Sequence, residues 1–87
     1  MEEDFEMLTE LEKSKKAVGL KQSRKAIKEG RAEFCYVALD ADPKISSEII
    51  ELCKESNIEI CEVPHMSELG KACGINVGSA VVVRLIN

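Results

Sequence analysis

Apolar residues recur every three or four positions in some segments of this chain and run without interruption in others. The first spacing predicts an amphipathic helix, and a short uninterrupted apolar run is typical of a strand buried on both faces. Helices and strands alternate, which predicts a three-layer α/β/α sandwich with a small sheet. The predicted helices cover residues 2–16, 20–29, 43–56 and 66–73, and the predicted strands cover residues 17–18, 34–39, 58–63 and 80–86.

Residues at the ends and edges of these segments support the assignment. Asp42 followed by Pro43 is typical of a helix N-cap with proline at the first helical position. Glu59 and Glu62 indicate an edge strand, because charged side chains there discourage pairing between sheets. The continuous apolar character of segment 80–86 predicts instead a strand in the middle of the sheet.

The helix predicted over residues 20–29 has an unusual start. Gly19 precedes it, and no Ser, Thr, Asp or Asn stands there to cap it. Backbone N–H groups are then left free at the positive end of the helix dipole, beside Lys21 and Gln22, which favours an anion such as phosphate. The other end is ordinary, since Gly30 suits the left-handed position just after a helix.

Charge is unevenly distributed along the chain. Residues 13–31 carry eight basic residues and one acidic residue, whereas the other positions carry four basic and fifteen acidic residues. The net charge of the whole chain is −4, yet a phosphate backbone responds to the local field within about 10 Å at physiological salt. The basic segment therefore favours a nucleic-acid partner. A solvated basic helix that balances an acidic neighbour explains the same pattern equally well.

The length of 87 residues predicts a single domain, residues 1–87, with a modest core. No apolar run reaches the roughly 18 residues that a transmembrane helix needs, so we expect no membrane association. The N-terminus begins Met-Glu-Glu-Asp and lacks the basic and apolar regions of a signal peptide. We therefore expect a cytoplasmic protein.

The four cysteines stand far apart in the sequence, each among apolar residues, at positions 35, 53, 61 and 73. This spacing fits neither a zinc site nor a redox pair, so we expect small buried side chains in a reducing compartment. A cysteine enzyme would need a low-pKa thiol beside His65, the only histidine. Nothing in the sequence supports one, and we expect no enzyme activity, no metal and no cofactor.

Four motifs stand in register along residues 6–86, namely Gly19-x-Lys21-Gln22-x-x-Lys25-Ala26, Gly30, Asp40-Ala41-Asp42-Pro43 and Leu69-Gly70-Lys71-Ala72-Cys73-Gly74. Together they resemble the ribosomal protein family L-seven-Ae, whose relatives include the L-thirty-e ribosomal protein and small bacterial homologues. The resemblance implies a four-stranded mixed sheet within an α/β/α sandwich. It also implies binding to RNA kink-turns, which are sharply bent duplexes with tandem sheared G·A pairs and an extruded nucleotide.

The resemblance implies an RNA site built from the basic helix and a second loop. In the family the helix enters the major groove at the kink, where Lys21, Gln22 and Lys25 would meet guanine edges or phosphate. Gly19 would let the backbone come close, and loop 75–77 would pack against the extruded nucleotide. The implied RNA-binding residues are Gly19, Leu20, Lys21, Gln22, Arg24, Lys25, Lys28, Ile75, Asn76 and Val77.

Three residues depart from the family's pattern. Leu20 replaces the usual Thr, Met66 replaces a Lys that contacts RNA, and His65 replaces a Ser that would cap the following helix. The Lys21-Gln22 pair is similar to the pair found in the bacterial branch of the family. The implied partner is a structured RNA, whether ribosomal RNA, a riboswitch or another RNA, with ribosome association and a monomeric protein. The alternative is a protein-interaction module of the same fold with little RNA binding, which the acidic remainder of the chain suits.

Overall fold

A four-stranded mixed sheet carries the helices of this protein in a computed structural model that describes Leu11 and residues 14–86. The strand order is β1-β4-β2-β3. The α/β class and the mixed four-stranded sheet are as predicted. In chain order the elements are β1 (Lys16–Val18), α1 (Leu20–Lys28), β2 (Ala32–Ala38), α2 (Pro43–Glu55), β3 (Glu59–Val63), α3 (Met66–Ala72) and β4 (Val81–Leu85).

The strand directions bring several connecting segments to one end of the sheet. β4 is antiparallel to both β1 and β2, and β2 is parallel to β3. Strands β1, β2 and β3 therefore end where β4 begins. We refer to this end, formed by Val18, Ala38, Val63 and Val81, as the Val81 end. β4 is central and β3 lies at an edge, as the apolar run and the glutamates predicted.

Two apolar clusters lie on opposite faces of the sheet and give the sandwich its layers. On one face Ile27 of α1 and Ile49 of α2 pack with Val83 of β4. On the other face Leu69 of α3 and Leu11 pack with Tyr36 of β2 and with other buried residues. Because successive residues of a strand point to opposite faces, β2 and β4 contribute to both clusters. The predicted three-layer arrangement follows from this alternation.

The first predicted helix, over residues 2–16, lies largely outside the described residues. Its predicted C-terminal boundary is wrong, because Lys16 already belongs to β1, where it pairs with Arg84. The Lys16 ammonium donates hydrogen bonds to the carbonyl oxygens of Leu11 at 3.1 Å and of Ser14 at 3.2 Å. This contact is typical of a lysine beside carbonyl groups that regular structure leaves free.

The prediction that Leu39 ends a buried strand is also wrong. β2 ends at Ala38, and Leu39 is 59% exposed. The Leu39 N–H still donates to the Val63 carbonyl at 2.8 Å, so the backbone stays on β3 while the side chain leaves the core. Leu39 and Asp40 form a turn, closed by the Ala41 N–H that donates to the Ala38 carbonyl at 3.3 Å, and this turn takes the chain out of the sheet.

Both α2 and α3 begin on an aspartate cap. The predicted cap of α2 is present, since the Asp42 carboxylate accepts the Lys44 N–H at 2.9 Å. At α3 the N-cap residue His65 makes no capping bond with its side chain. Instead Asp40, 26 residues earlier, accepts the Met66 N–H at 2.8 Å. A carboxylate from another loop thus accepts an N–H at the helix start, where the side chain of His65 forms no capping bond.

The loop before β4 packs directly on the backbone of α3. A Cβ added to Gly70 would lie 2.0 Å from the Val77 carbonyl oxygen, and one added to Gly78 would lie 2.9 Å from the Met66 Cβ. The Ser79 N–H donates to the Met66 carbonyl at 3.1 Å, which closes the contact. Loop 75–79 is therefore held against α3 at both of its ends, and this requires glycine at two positions.

Gly70→Ala is expected to destabilise the fold by about 1–3 kcal/mol, because the new Cβ would displace the Val77 carbonyl. An exposed helical Gly→Ala change normally has the opposite sign, with a gain of up to about 1 kcal/mol. Chemical denaturation measures the difference. Ser67→Ala, on the exposed side of the same helix, serves as the control and should change stability by less than about 0.5 kcal/mol. A stabilised Gly70→Ala variant would contradict the close approach.

Candidate nucleic-acid interface

The start of α1 leaves backbone donors free at the Val81 end. Gly19 is the N-cap residue, with φ 92° and no capping side chain. Its own N–H donates to the Val81 carbonyl at 2.9 Å, and the first bond within the helix runs from the Ser23 N–H to the Gly19 carbonyl at 3.0 Å. The N–H groups of the three residues between them have no such partner within the helix, so they are available to an anion.

Glycine at position 19 also keeps this start open. Its positive φ is a conformation that residues with a Cβ rarely adopt. A Cβ built there would meet nothing within 4 Å, so the space above the helix start is unfilled by the described residues. Leu20 next to it is half-buried against the core of α1 and α2, which turns its side chain away from this space.

A row of cations follows along the exposed side of α1. Lys21, Lys25 and Lys28 are exposed and lie four and seven residues apart, on one face of the helix. Among the residues that the structure describes, Lys21 and Lys25 form no ion pair. An open depression of about 620 Å³ runs along this surface and is lined by Lys21, Gln22, Arg24, Lys25, Lys28 and Glu29. The opposite face of α1 is buried, so the helix cannot turn these cations inward.

Arg24 differs from the other cations because Glu48 of α2 holds it. The Arg24 Nε donates to one carboxylate oxygen of Glu48, and Nη2 donates to the other at 3.1 Å. This two-bond pairing raises the pKa of Arg24 and lowers the pKa of Glu48 below its ordinary value, so the carboxylate stays ionised. Arg24 was predicted as an RNA-binding residue, and the structure joins it to α2.

The second predicted segment lies at the same end of the sheet. Ile75 is 36% exposed and Val77 is 69% exposed, as expected for apolar loop residues that the pattern does not place inside. Asn76 between them is also exposed. The loop leads through Ala80 into β4, where the Ala80 carbonyl accepts the Ala38 N–H at 2.9 Å. The topology therefore brings loop 75–77 and the start of α1 to the same end of the sheet.

Sequence reasoning missed two residues of this surface, Leu39 and Lys71. Leu39 follows the last residue of β2 and is exposed at the Val81 end. Of the four large apolar residues exposed in the described part of the chain, it joins Ile75 and Val77 at that end. Lys71 lines a depression of about 260 Å³ together with Ser67 and residues 75–78. The position of Leu39 beside Asp40-Ala41-Asp42-Pro43 was a usable signal, whereas Lys71 stood in the Leu69–Gly74 motif without a predicted role.

A family model described as the ribosomal protein L7Ae/L30e/S12e/Gadd45 family matches residues 5–87. The chain belongs to this family. The match covers both segments of the surface described above, and it is the family that the four sequence motifs indicated. The L7Ae/L30e/S12e/Gadd45 assignment thus agrees with the predicted fold and with the observed sheet.

Individual relatives agree with this assignment. An RNA-binding protein from Geobacillus sp. (strain WCH70) is 47% identical over 72 residues, which is 83% of this chain and 88% of the relative. The large ribosomal subunit protein eL8 of Halobacterium salinarum is 41% identical over 63 residues, 71% of this chain and 52% of that protein. A 15.5kD RNA binding protein of Giardia lamblia has the same fold, with a TM-score of 0.91 and 22% sequence identity. The structural alignment covers 100% of this chain and 77% of the Giardia protein.

The thiols of this L7Ae/L30e/S12e/Gadd45 member are placed as packing residues. Cys35, Cys53 and Cys61 are buried and Cys73 is half-buried. The contact with Cys53, together with burial, raises the pKa of Cys35, and burial raises the pKa of Cys73. The described residues contain no cluster of potential metal ligands and no helix long and apolar enough to cross a membrane.

We expect every cysteine of the folded protein to react slowly with a thiol reagent near neutral pH, because burial keeps the reagent away from the thiols and, at Cys35 and Cys73, also disfavours the thiolate that reacts. Absorbance after addition of an aromatic disulfide measures the rate. All four thiols should react quickly once the protein is unfolded in denaturant, which provides the control. A single fast thiol in the folded state would revive the cysteine-enzyme hypothesis.

Proposed function

We propose that this protein is a non-enzymatic RNA-binding protein that recognises kink-turns and stabilises their bent form. The observation that carries the proposal is the position of two surfaces at the Val81 end of the sheet. One is the uncapped, cationic start of α1, and the other is the exposed apolar loop 75–77 with Leu39. The names of the bacterial relatives and the family's characteristic target support it.

The start of α1 supplies the polar contacts of the proposed complex. Gln22 has both an amide donor and a carbonyl acceptor for a base edge, and Lys21 can donate to guanine O6 or N7. Lys25 and Lys28 continue the row for about 10 Å along the helix at its rise of 1.5 Å per residue, a length that suits phosphates or guanines beyond the kink. The backbone at Gly19 is open to a close approach.

The proposed preference for bent RNA over regular RNA duplex follows from the width of helix α1. The major groove of regular A-form RNA is too deep and narrow for a helix to read, whereas a sharp bend opens it. α1 is attached to the sheet along its whole buried face, so it presents its cations as one rigid surface. A rigid helix that fits only the opened groove favours the bent RNA, and it shifts the RNA toward that state by its difference in affinity.

The apolar part of the surface is proposed to hold the extruded nucleotide. Leu39, Ile75 and Val77 expose aliphatic side chains that bury apolar area when a base packs on them. Asn76 lies between Ile75 and Val77, and its side-chain amide can donate or accept a hydrogen bond. The close packing of Val77 on Gly70 and of Gly78 on Met66 keeps the side chains of loop 75–77 in place before RNA arrives.

Ribosomal RNA is a natural source of such kink-turns, and a riboswitch or another structured RNA presents the same chemistry. We propose that the protein works in the cytoplasm as a monomer and associates with ribosomal RNA or with such an RNA. An interaction module that has lost RNA binding is the competing function. The acidic residues outside segment 13–31 are the observation in its favour.

Titration of the protein into a labelled kink-turn duplex tests the proposal. The control duplex replaces the sheared G·A pairs with Watson–Crick pairs. We expect much tighter binding to the kink-turn, and binding that weakens with salt in proportion to the phosphates contacted, with a slope of about −2 to −3 for three lysines. Equal, weak binding to both duplexes at every salt concentration would favour the interaction module.

Gln22→Ala and Lys25→Ala are each expected to lower kink-turn affinity by about 1–3 kcal/mol, because each removes a contact to a base edge or a phosphate. Stability should be unchanged, since both side chains are exposed. Lys54→Ala is the matched control, as it removes an exposed lysine from α2, away from the proposed surface. Wild-type affinity in both α1 variants would refute their proposed roles.

A further inference from the structure

Arg24 and Glu48 occupy the same level of two neighbouring helices. α1 and α2 both begin at the Val81 end, and Arg24 is the fifth residue of α1 while Glu48 is the sixth residue of α2. Arg24 stands three residues after Lys21 and four before Lys28, so it belongs to the same cationic row. It also lines the depression along α1, which places the guanidinium at the proposed RNA surface.

Glu48 occupies the part of Arg24 that would bind phosphate. The Nε and Nη2 donors of a guanidinium form a fork that fits a carboxylate or a phosphate in the same way. Both donors are directed at the two oxygens of Glu48. A phosphate cannot use this fork while the carboxylate does.

The pair is accessible to solvent and therefore open to competition. The side chain of Arg24 is 35% exposed and that of Glu48 is 39% exposed. An ion pair at this exposure is screened by water and salt, and its net contribution to stability is small. Glu48 also attracts Lys28, so one carboxylate lowers the positive potential at two cations of the row.

We propose that Glu48 competes with RNA phosphate for Arg24 and thereby limits the affinity of α1 for RNA. The inference rests on the proposed function, which supplies the RNA. In the wild-type complex Arg24 remains on Glu48 and positions α1 against α2, while the lysines of the row contact phosphate. Removal of the carboxylate releases a fourth cation to the RNA.

Glu48→Gln tests this directly. We expect it to bind RNA about 3–10-fold tighter than wild type at low salt, and to steepen the slope of log affinity against log salt by about one, the value for one added phosphate contact. Glu55→Gln is the matched control, because it removes an exposed carboxylate from the same helix two turns away. It should keep the wild-type slope.

The double variant Arg24→Gln/Glu48→Gln identifies the released group. It should lose the extra slope of Glu48→Gln, because the fourth cation is gone. An affinity of Glu48→Gln no higher than that of Glu55→Gln would overturn the competition. A gain in affinity that persists in the double variant would overturn it as well. A double variant with a shallower salt slope than wild type would also overturn it, because it would show that Arg24 already contacts phosphate.

The same titrations separate the two proposals. Comparison of the kink-turn with the Watson–Crick control tests the proposed function, and comparison of the variants on one RNA tests the role of Glu48. Thermal unfolding of each variant verifies that it is folded. If Glu48→Gln does not fold, the double variant against wild type still decides whether Arg24 contacts phosphate. Absence of binding by wild type and Glu48→Gln to either RNA would overturn both proposals.

Discussion

The pairing of β4 with both β1 and β2 fixes the position of every segment of the candidate interface. β4 runs opposite to its two neighbours, so it begins where they end. The Gly19 N–H donates to the Val81 carbonyl, and this hydrogen bond joins the first residue of β4 to the start of α1. A register shift of one residue in β4 would exchange the faces on which Val81, Val82 and Val83 pack, so the two core clusters fix the register and with it the position of the interface.

Side-chain patterns near one another in sequence were sufficient to predict most of the fold. The period of α1, the Asp42-Pro43 start of α2 and the glutamates of β3 each depend on local chemistry, and the structure confirms each of them. The start of α1 was predictable for the same reason, since an uncapped glycine start is a property of a few adjacent residues. The predicted strand wrongly included Leu39, because a run of apolar residues does not show where the helices that cover the sheet end.

The features that the sequence did not reveal all join residues distant along the chain. Arg24 meets Glu48 over 24 positions, and Asp40 caps α3 over 26 positions. Neither pairing has a signature in spacing or composition, because the two partners meet only through the sheet. The close approach of loop 75–79 to α3 is of the same kind: the glycines were visible in the sequence, but the Val77 carbonyl that requires Gly70 was not.

The uneven charge of the chain acquires a physical role from this geometry. Most acidic residues lie outside segment 13–31, and on α2 and β3 many of them are exposed. In the proposed complex an RNA backbone is repelled from those surfaces and attracted to α1, so the acidic remainder would direct the RNA to one face of the protein. Glu48 lies where the two regions meet: it holds Arg24 of α1 in a two-bond ion pair, and in the proposed competition it reduces the attraction of α1 for phosphate. Under the proposed function such a limit favours selectivity, because tighter electrostatic binding would extend to any duplex and weaken the distinction that the bent groove provides.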